Sequence, residues 1–306
     1  TIKTLSVYWP DGKRTVQQNL SADRFIELSQ TDATDKTAFA LPTLSPLFHE
    51  IETEKILPFR HLENDFIDFK AEVLIPYQLS RLGPALAKAD INGDGLEDIF
   101  IGGAVEQSGE LWLQRPDGNF QKAPQQPWQA DAVSEDVNAL FFDVDSDQDA
   151  DLYVVSGGNE YEAGSPEYQD RLYTNDGKGN FQRNTAALPP MLNSKMAVAA
   201  ADFDADGDLD LFVGGRGKAG FFPLPSPSYL LRNDKGVFKD ITPPLLRTTG
   251  MIQTAAWTDL NGDKYPELLL AGDWMALKVF QNKRGDLTDV SATMGLSDTE
   301  GLWAAL

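Results

Sequence analysis

The chain has 306 residues, 42% hydrophobic and 24% charged, enough to bury a substantial core in one or two domains. Its formal charge of −21 argues against nucleic acid as a partner, because such binding needs a basic patch, and no RNA-recognition motif is present. The absence of cysteine excludes disulfides, zinc–thiolate sites and a cysteine nucleophile.

No apolar run reaches the roughly 18 residues of a membrane-spanning helix, and no signal peptide is visible. Because the chain opens on Thr1 rather than Met, it reads as a processed or excised piece of a longer protein. Residues 1–30 alternate apolar and polar positions around Pro10-Asp-Gly-Lys13, which predicts a β-hairpin followed by a third strand at Arg24-Phe-Ile-Glu-Leu28. That set is too short to bury a core alone and is expected to close a module that begins before residue 1. Residues 31–46 are polar and then proline-punctuated, as in a linker. Apolar runs resume at Leu47-Phe-His-Glu-Ile51, Phe66-Ile-Asp-Phe69 and Val73-Leu-Ile75, and are expected to supply outer strands or to complete a repeat.

From residue 90 a motif recurs at intervals of 53, 59 and 57 residues. The copies are Asp90-Ile-Asn-Gly-Asp-Gly-Leu-Glu-Asp98, Asp143-Val-Asp-Ser-Asp-Gln-Asp-Ala-Asp151, Asp202-Phe-Asp-Ala-Asp-Gly-Asp-Leu-Asp210 and Asp259-Leu-Asn-Gly-Asp-Lys-Tyr-Pro-Glu267. Oxygen donors at positions 1, 3, 5 and 9 around a sharp turn suit Ca²⁺. Without a cation, each carboxylate pair about 4 Å apart would repel by roughly 4 kcal/mol at an effective dielectric near 20. An EF-hand loop would run to a bidentate Glu at position 12 and sit between helices. Here the flanks are short and β-rich, so the loop joins two strands. The four loops hold 17 of the 47 acidic residues, which concentrates the charge at these turns.

Each loop is preceded by a short apolar run and followed by a second strand such as Leu211-Phe-Val-Gly-Gly. A third strand such as Arg171-Leu-Tyr-Thr-Asn and, after a glycine turn, a fourth such as Asn180-Phe-Gln complete the unit. Four strands in about 55 residues predict an all-β fold of β-propeller blades. Four blades are recognisable, and Gly301-Leu-Trp-Ala-Ala-Leu306 looks like the start of a fifth, so residues 47–306 are expected to be a truncated propeller.

The loops and their flanks resemble FG-GAP/VCBS repeats, as in integrin α-subunit propellers and bacterial surface proteins. Val7-Tyr-Trp-Pro-Asp-Gly-Lys13 with Asn19-Leu-Ser-Ala-Asp-Arg24 resembles the end of an ASPIC/UnbV domain, assigned to residues 1–30. The resemblance implies three to four structural Ca²⁺ ions, each held by side chains at positions 1, 3, 5 and 9 and the carbonyl at position 7. In this sequence those are Asp90, Asn92, Asp94, Leu96 and Asp98; Asp143, Asp145, Asp147, Asp149 and Asp151; Asp202, Asp204, Asp206, Asp208 and Asp210; and Asp259, Asn261, Asp263, Tyr265 and Glu267. Gln148 and Lys264 stand where glycine is usual, so strain is expected in those turns, and the fourth loop is expected to bind most weakly.

Other motifs have plainer accounts. Arg284-Gly-Asp286 spells an integrin-binding tripeptide but falls on the turn between third and fourth strands. Gly215-Arg-Gly-Lys-Ala-Gly220 matches a dinucleotide fingerprint, yet the prolines that follow forbid the helix such a site needs. His61, Glu63, Asp65 and Asp68 gather one of the two histidines with three carboxylates, as acid/base partners, metal ligands or simply a polar turn. Long loops at 159–168 and 216–228 carry Tyr161, Tyr168, Phe221 and Phe222, which either recognise a sugar or protein or pack on a neighbouring blade.

These observations favour a non-enzymatic, calcium-stabilised propeller of an exported or cell-surface protein, mediating adhesion or binding protein or glycan. The fragment itself would make no direct membrane insertion. The alternative is a carbohydrate-active enzyme, a lyase or glycosidase, built on the same scaffold; it requires carboxylates outside the loops converging in one pocket.

Overall fold

A computed structural model describes residues 1–33 and 53–302, with the chain divided into two compact units, Thr1–Glu52 and Thr53–Leu306. From residue 34 onward the expected linker lies outside the described residues, as do Leu47–Ile51 and residues 303–306.

In the first unit, β1 (Ile2–Tyr8) and β2 (Arg14–Leu20) pair antiparallel. Gly12 takes φ 80 in the turn, and Trp9 closes it by donating its indole N–H to Thr15 at 2.9 Å. The third strand expected at 24–28 is not formed: Asp23, at φ 58, turns the chain, and Phe25 is fully exposed.

The second unit is all-β, with four successive antiparallel sheets, each meandering through four strands. The first holds β3 (Leu86–Ala89), β4 (Asp98–Ile101), β5 (Glu110–Gln114) and β6 (Phe120–Lys122). The second holds β7 (Glu135–Phe142), β8 (Asp151–Gly157), β9 (Arg171–Thr174) and β10 (Gln182–Arg183). The third holds β11 (Lys195–Ala201), β12 (Asp210–Gly215), β13 (Tyr229–Arg232) and β14 (Lys239–Asp240). The fourth holds β15 (Met251–Thr258), β16 (Glu267–Met275), β17 (Lys278–Lys283) and β18 (Asp286–Asp289).

Strand β19 (Gly301–Leu302) pairs with the end of β16, and the rest of the stretch expected to start a fifth unit lies outside the described residues. β16 outruns the register of β17 and leaves edge backbone at Asp273 and Met275 for β19 to satisfy. Residues 53–85 form single helical turns and irregular backbone, not the outer strands expected of them. No described helix is long and apolar enough to cross a membrane.

The sheets pack face to face in chain order, with β3 beside β7, β7 beside β11 and β11 beside β15. Each inner sheet therefore buries both faces, and its second strand reads as an unbroken apolar run. In β8, Leu152 and Val154 pack toward the first sheet with Phe100, Leu111 and Trp128, while Tyr153 and Val155 pack toward the third with Leu211 and Val213. Phe212 points the other way and joins Ile252, Leu268 and Leu270 of the fourth sheet.

A repeated polar joint fixes this stacking. An asparagine stands at the end of the third strand in sheets two to four, just after the last strand residue in the second and third sheets and one residue before it in the fourth. Asn175 donates its side-chain N–H to Ile91 O of the preceding sheet's loop at 2.8 Å and to Ala150 O of its own loop at 3.2 Å. Asn233 does the same to Val144 O (2.7 Å) and Leu209 O (3.1 Å), and Asn282 to Phe203 O (2.7 Å) and Pro266 O (3.1 Å). Ile91, Val144 and Phe203, each at the second loop position, are 1% exposed. The equivalent Leu260 of the fourth sheet has no later sheet over it among the described residues and is 51% exposed. In the first sheet the equivalent residue is Gln114, whose side chain turns back to its own loop at Glu97 N.

Replacing Asn233 by Ala leaves two carbonyls without their donor and is expected to cost about 1–3 kcal/mol. Denaturant unfolding reads this directly, and a loss under about 0.5 kcal/mol, the range of an ordinary surface change, would refute the joint's importance.

Candidate functional site

All four loops share one backbone, built by the aspartate at position 1. Asp90 accepts from the N–H groups of Gly93, Asp94 and Gly95 at 2.8–3.1 Å, and Asp259 from those of Gly262, Asp263 and Lys264 at 2.7–3.2 Å. Asp143 repeats the pattern with Ser146, Asp147 and Gln148, and Asp202 with Asp206 and Gly207. The carboxylate at position 5 accepts the N–H of position 7, which is Leu96, Asp149, Asp208 or Tyr265. The acid at position 9 is buried and pins the loop's base. Asp98, Asp151 and Asp210 each accept from position 2 and from the end of the third strand, at Gln114, Asn175 and Asn233.

Wrapping the chain this tightly demands a left-handed backbone at positions 4 and 6 of every copy. Gly93 and Gly95 take φ 75 and 84, but Ser146 and Gln148 take 67 and 75, Ala205 takes 62, and Lys264 takes 74. The strain expected from Gln148 and Lys264 is therefore located, and Ser146 and Ala205 share it.

The donors converge unequally. Oxygens of Asp143, Asp145 and Asp151 lie within 4.8 Å of one another, as do those of Asp202, Asp204 and Asp206. Loops one and four carry Asn92 and Asn261 at position 3, whose amide oxygens accept from Asp94 and Asp263 N–H. In loop four, Glu267 is engaged by the Asn261 amide at 2.8 Å and by Leu260 N–H at 2.9 Å. Burial raises Asp151 and Asp210 to about 7 and Asp149 to about 6, with neighbouring carboxylates adding to each shift. The donor sets of loops two and three thus fit a hard divalent cation on oxygen chemistry and on unneutralised charge.

The loops between second and third strands lie at the other end of the sheets, since each strand pair reverses direction. Residues 53–85 run across this end. Asp68 is buried and accepts from Leu79 N–H, Ser80 N–H and Ser80 hydroxyl at 2.5–3.0 Å, so its role is structural, and Asp65 is exposed. His61 and Glu63 bond at 3.0 Å and meet Glu135 from the start of β7, a partner that sequence spacing could not reveal. Burial, with repulsion from Glu160 and Glu63, raises Glu135 to about 9, and burial raises Glu160 to about 7.

A groove of about 530 Å³ opens beside this cluster, lined by Phe66, Glu160, Tyr161, Glu162 and Phe221 among others. Phe221 is 53% exposed. Of the two roles open to Tyr168, packing is the one it takes: it is fully buried, its hydroxyl donates to Tyr161 O at 2.8 Å, and its ring meets Tyr161 edge-on. Residues 215–220 form no helix, as the prolines require. Arg284 and Gly285 take φ 55 and 91 in a two-residue hairpin turn between β17 and β18.

Glycine at Gln148 or Lys264 relieves a left-handed side chain and is expected to raise stability by about 0.5–1 kcal/mol per site. Thermal melting of Gln148→Gly and Lys264→Gly checks this, and an unchanged or lower midpoint in both would contradict it.

Residues 90–154 and 143–213 each match the FG-GAP-like repeat family model. Both matched stretches begin on the first aspartate of a loop and end in the second strand of the next sheet. No curated protein matches the chain. Residues 90–213 therefore carry two FG-GAP-like repeats.

Proposed function

We propose that the four sheets are blades of a β-propeller fastened by Ca²⁺, and that the chain is a non-enzymatic binding module of an exported or cell-surface protein. The ligand is a glycan or a protein segment. Residues 1–30 belong to an ASPIC/UnbV-like module under this proposal, and the repeats to the VCBS, integrin α-like kind. The observation that carries the reading is the groove between the two long loops. There Phe66, Tyr161 and Phe221 present rings while Glu160 and Glu162 offer acceptors, a composition suited to sugar hydroxyls or a basic peptide. The metal's part is structural, because the calcium loops lie at the opposite end from the groove.

The alternative of a lyase or glycosidase has carboxylates outside the loops at Glu63 and Glu135. Glu135 is 1% exposed, however, and closed to a sugar ring. A polysaccharide and glycan screen separates the two: binding without cleavage is expected, and turnover abolished by Glu63→Gln would overturn the binding reading. Phe221→Ala is expected to weaken a captured ligand by about 1–3 kcal/mol with the melting temperature little changed, and Tyr161→Ala to weaken it similarly while also lowering the melting temperature, because its ring meets Tyr168 and its hydroxyl bonds Val133 O.

Calcium is tested by melting in chelator and in excess Ca²⁺. At a hundredfold excess over Kd, each occupied loop adds about 2.7 kcal/mol, so a large upward shift is expected and an unchanged midpoint would refute the role. In chelator the carboxyls of Asp149, Asp151 and Asp210 have raised values in the fold, so the stability they confer is full below about pH 4 and is lost as pH rises through 6 to 7. The chelated protein should lose stability between about pH 4 and 7, and Ca²⁺ should restore most at the upper end.

A further inference from the structure

Among the buried carboxylates at the groove end of the sheets, Glu135 combines the lack of a cation from the protein with an unmet oxygen. Asp136 pairs with Arg171 at 2.7 Å, Asp170 with Lys195 at 3.3 Å, and Asp273 with Arg216 at 2.5 Å. Glu135, at 1% exposure, has no lysine or arginine pair among the described residues. One of its oxygens accepts from Val105 N–H at 2.9 Å, and the other, Oε1, is shut off from solvent with no hydrogen-bond partner. Three more buried atoms on neighbouring residues have no hydrogen-bond partner: His61 Nδ1, Glu63 Oε2 and Glu160 Oε1. One ligand atom from each of His61, Glu63 and Glu135 lies within 4.8 Å of the others. Glu160 adjoins them: a Cβ built on Gly158 would fall 2.2 Å from Glu160 Oε2 and 3.2 Å from Glu135 Cβ, so only glycine leaves the two acids side by side.

Four solvent-excluded polar atoms without partners, three of them on carboxylates, are costly unless something positive sits between them. A lone proton would neutralise one acid and leave the imidazole nitrogen and the other oxygens unmet. A divalent ion can take one ligand atom each from His61, Glu63 and Glu135, which the fold already brings within 4.8 Å of one another. The donor set mixes an imidazole nitrogen with carboxylate oxygens, which suits first-row transition metals and zinc better than the all-oxygen coordination of calcium.

We propose that His61, Glu63 and Glu135, with Glu160 beside them, form a site for a divalent transition-metal ion, Zn²⁺ matching the donors best. This site is separate from the calcium loops and independent of what the groove binds. The ion would staple the segment around residue 61 to the first strand of the second sheet. That segment is otherwise held there by Gln107, which bonds Leu62 N–H at 2.8 Å and Arg60 O at 2.9 Å.

Titration calorimetry with Zn²⁺, on protein kept in excess Ca²⁺, tests the site. About one Zn²⁺ per chain is expected, with affinity lowered more than about tenfold in His61→Ala and in Glu135→Gln and unchanged in the loop variant Asp145→Asn. Limited proteolysis gives a second readout: Zn²⁺ should slow cleavage within residues 53–85 in the wild type and not in His61→Ala, which keeps the test open if Glu135→Gln fails to fold. The proposal is overturned if the wild type takes up no Zn²⁺, as a protonated carboxyl cluster would require. Uptake that persists in both variants, or loss of one Ca²⁺ equivalent in Glu135→Gln, would overturn it equally.

Discussion

The second unit depends on a carbonyl at the second position of each of the first three acidic loops. That carbonyl accepts the side chain of an asparagine in the following sheet, while the residue that bears it drives an apolar side chain into the gap between sheets. The same asparagine donates its backbone N–H to the position 9 aspartate in sheets two and three. Loop conformation, register within a sheet and stacking between sheets are thus joined through a few shared atoms. A loop that opened would release its neighbour as well as itself.

The two ends of the sheets handle buried charge in opposite ways. At the loop end, like charges are brought together with mostly backbone N–H donors as partners, and burial, with the neighbouring carboxylates, leaves the carboxyls of Asp151 and Asp210 far above their ordinary values. At the groove end, Asp136, Asp170 and Asp273 each have a buried cation from the protein itself. Asp170 also accepts from the Tyr153 hydroxyl at 2.6 Å and from Ser156 N–H at 2.7 Å, so its lone pairs are met. Such complete partnering is what makes a buried pair tolerable.

Much of this was legible in the sequence because the repeat makes local signals reinforce one another. Four motif copies, each between apolar runs, locate the sixteen strands of the four sheets to within a few residues. Asn175, Asn233 and Asn282 were visible at the ends of third strands, but their reach to the preceding loop depends on how sheets stack, which no local pattern encodes. Where repetition stops, reading by pattern falters. Residues 24–28 alternate like a strand yet lack one, and residues 66–75 look apolar enough for strands but fold as turns over the sheet ends. His61 and Glu63 suggested chemistry by proximity, whereas Glu135, 72 positions after Glu63, joins them only through the fold. Tyr168 sits in a long loop, yet its hydroxyl has an internal acceptor that allows burial, which its neighbours in sequence do not signal.

The asparagine joint also has a direction. At each of the three seams one sheet offers a loop carbonyl to its successor and the next offers a reaching side chain to its predecessor, so the contact is head-to-tail and cannot be satisfied by a twofold partner. Any one joint is chemically interchangeable with the next, because Ile91, Val144 and Phe203 present the same backbone acceptor. Such a chain can gain or lose a whole unit by duplication or deletion between equivalent loop positions and still find a matching joint at the seam. Length then becomes an evolvable property of the array, while the geometry of each joint stays the same.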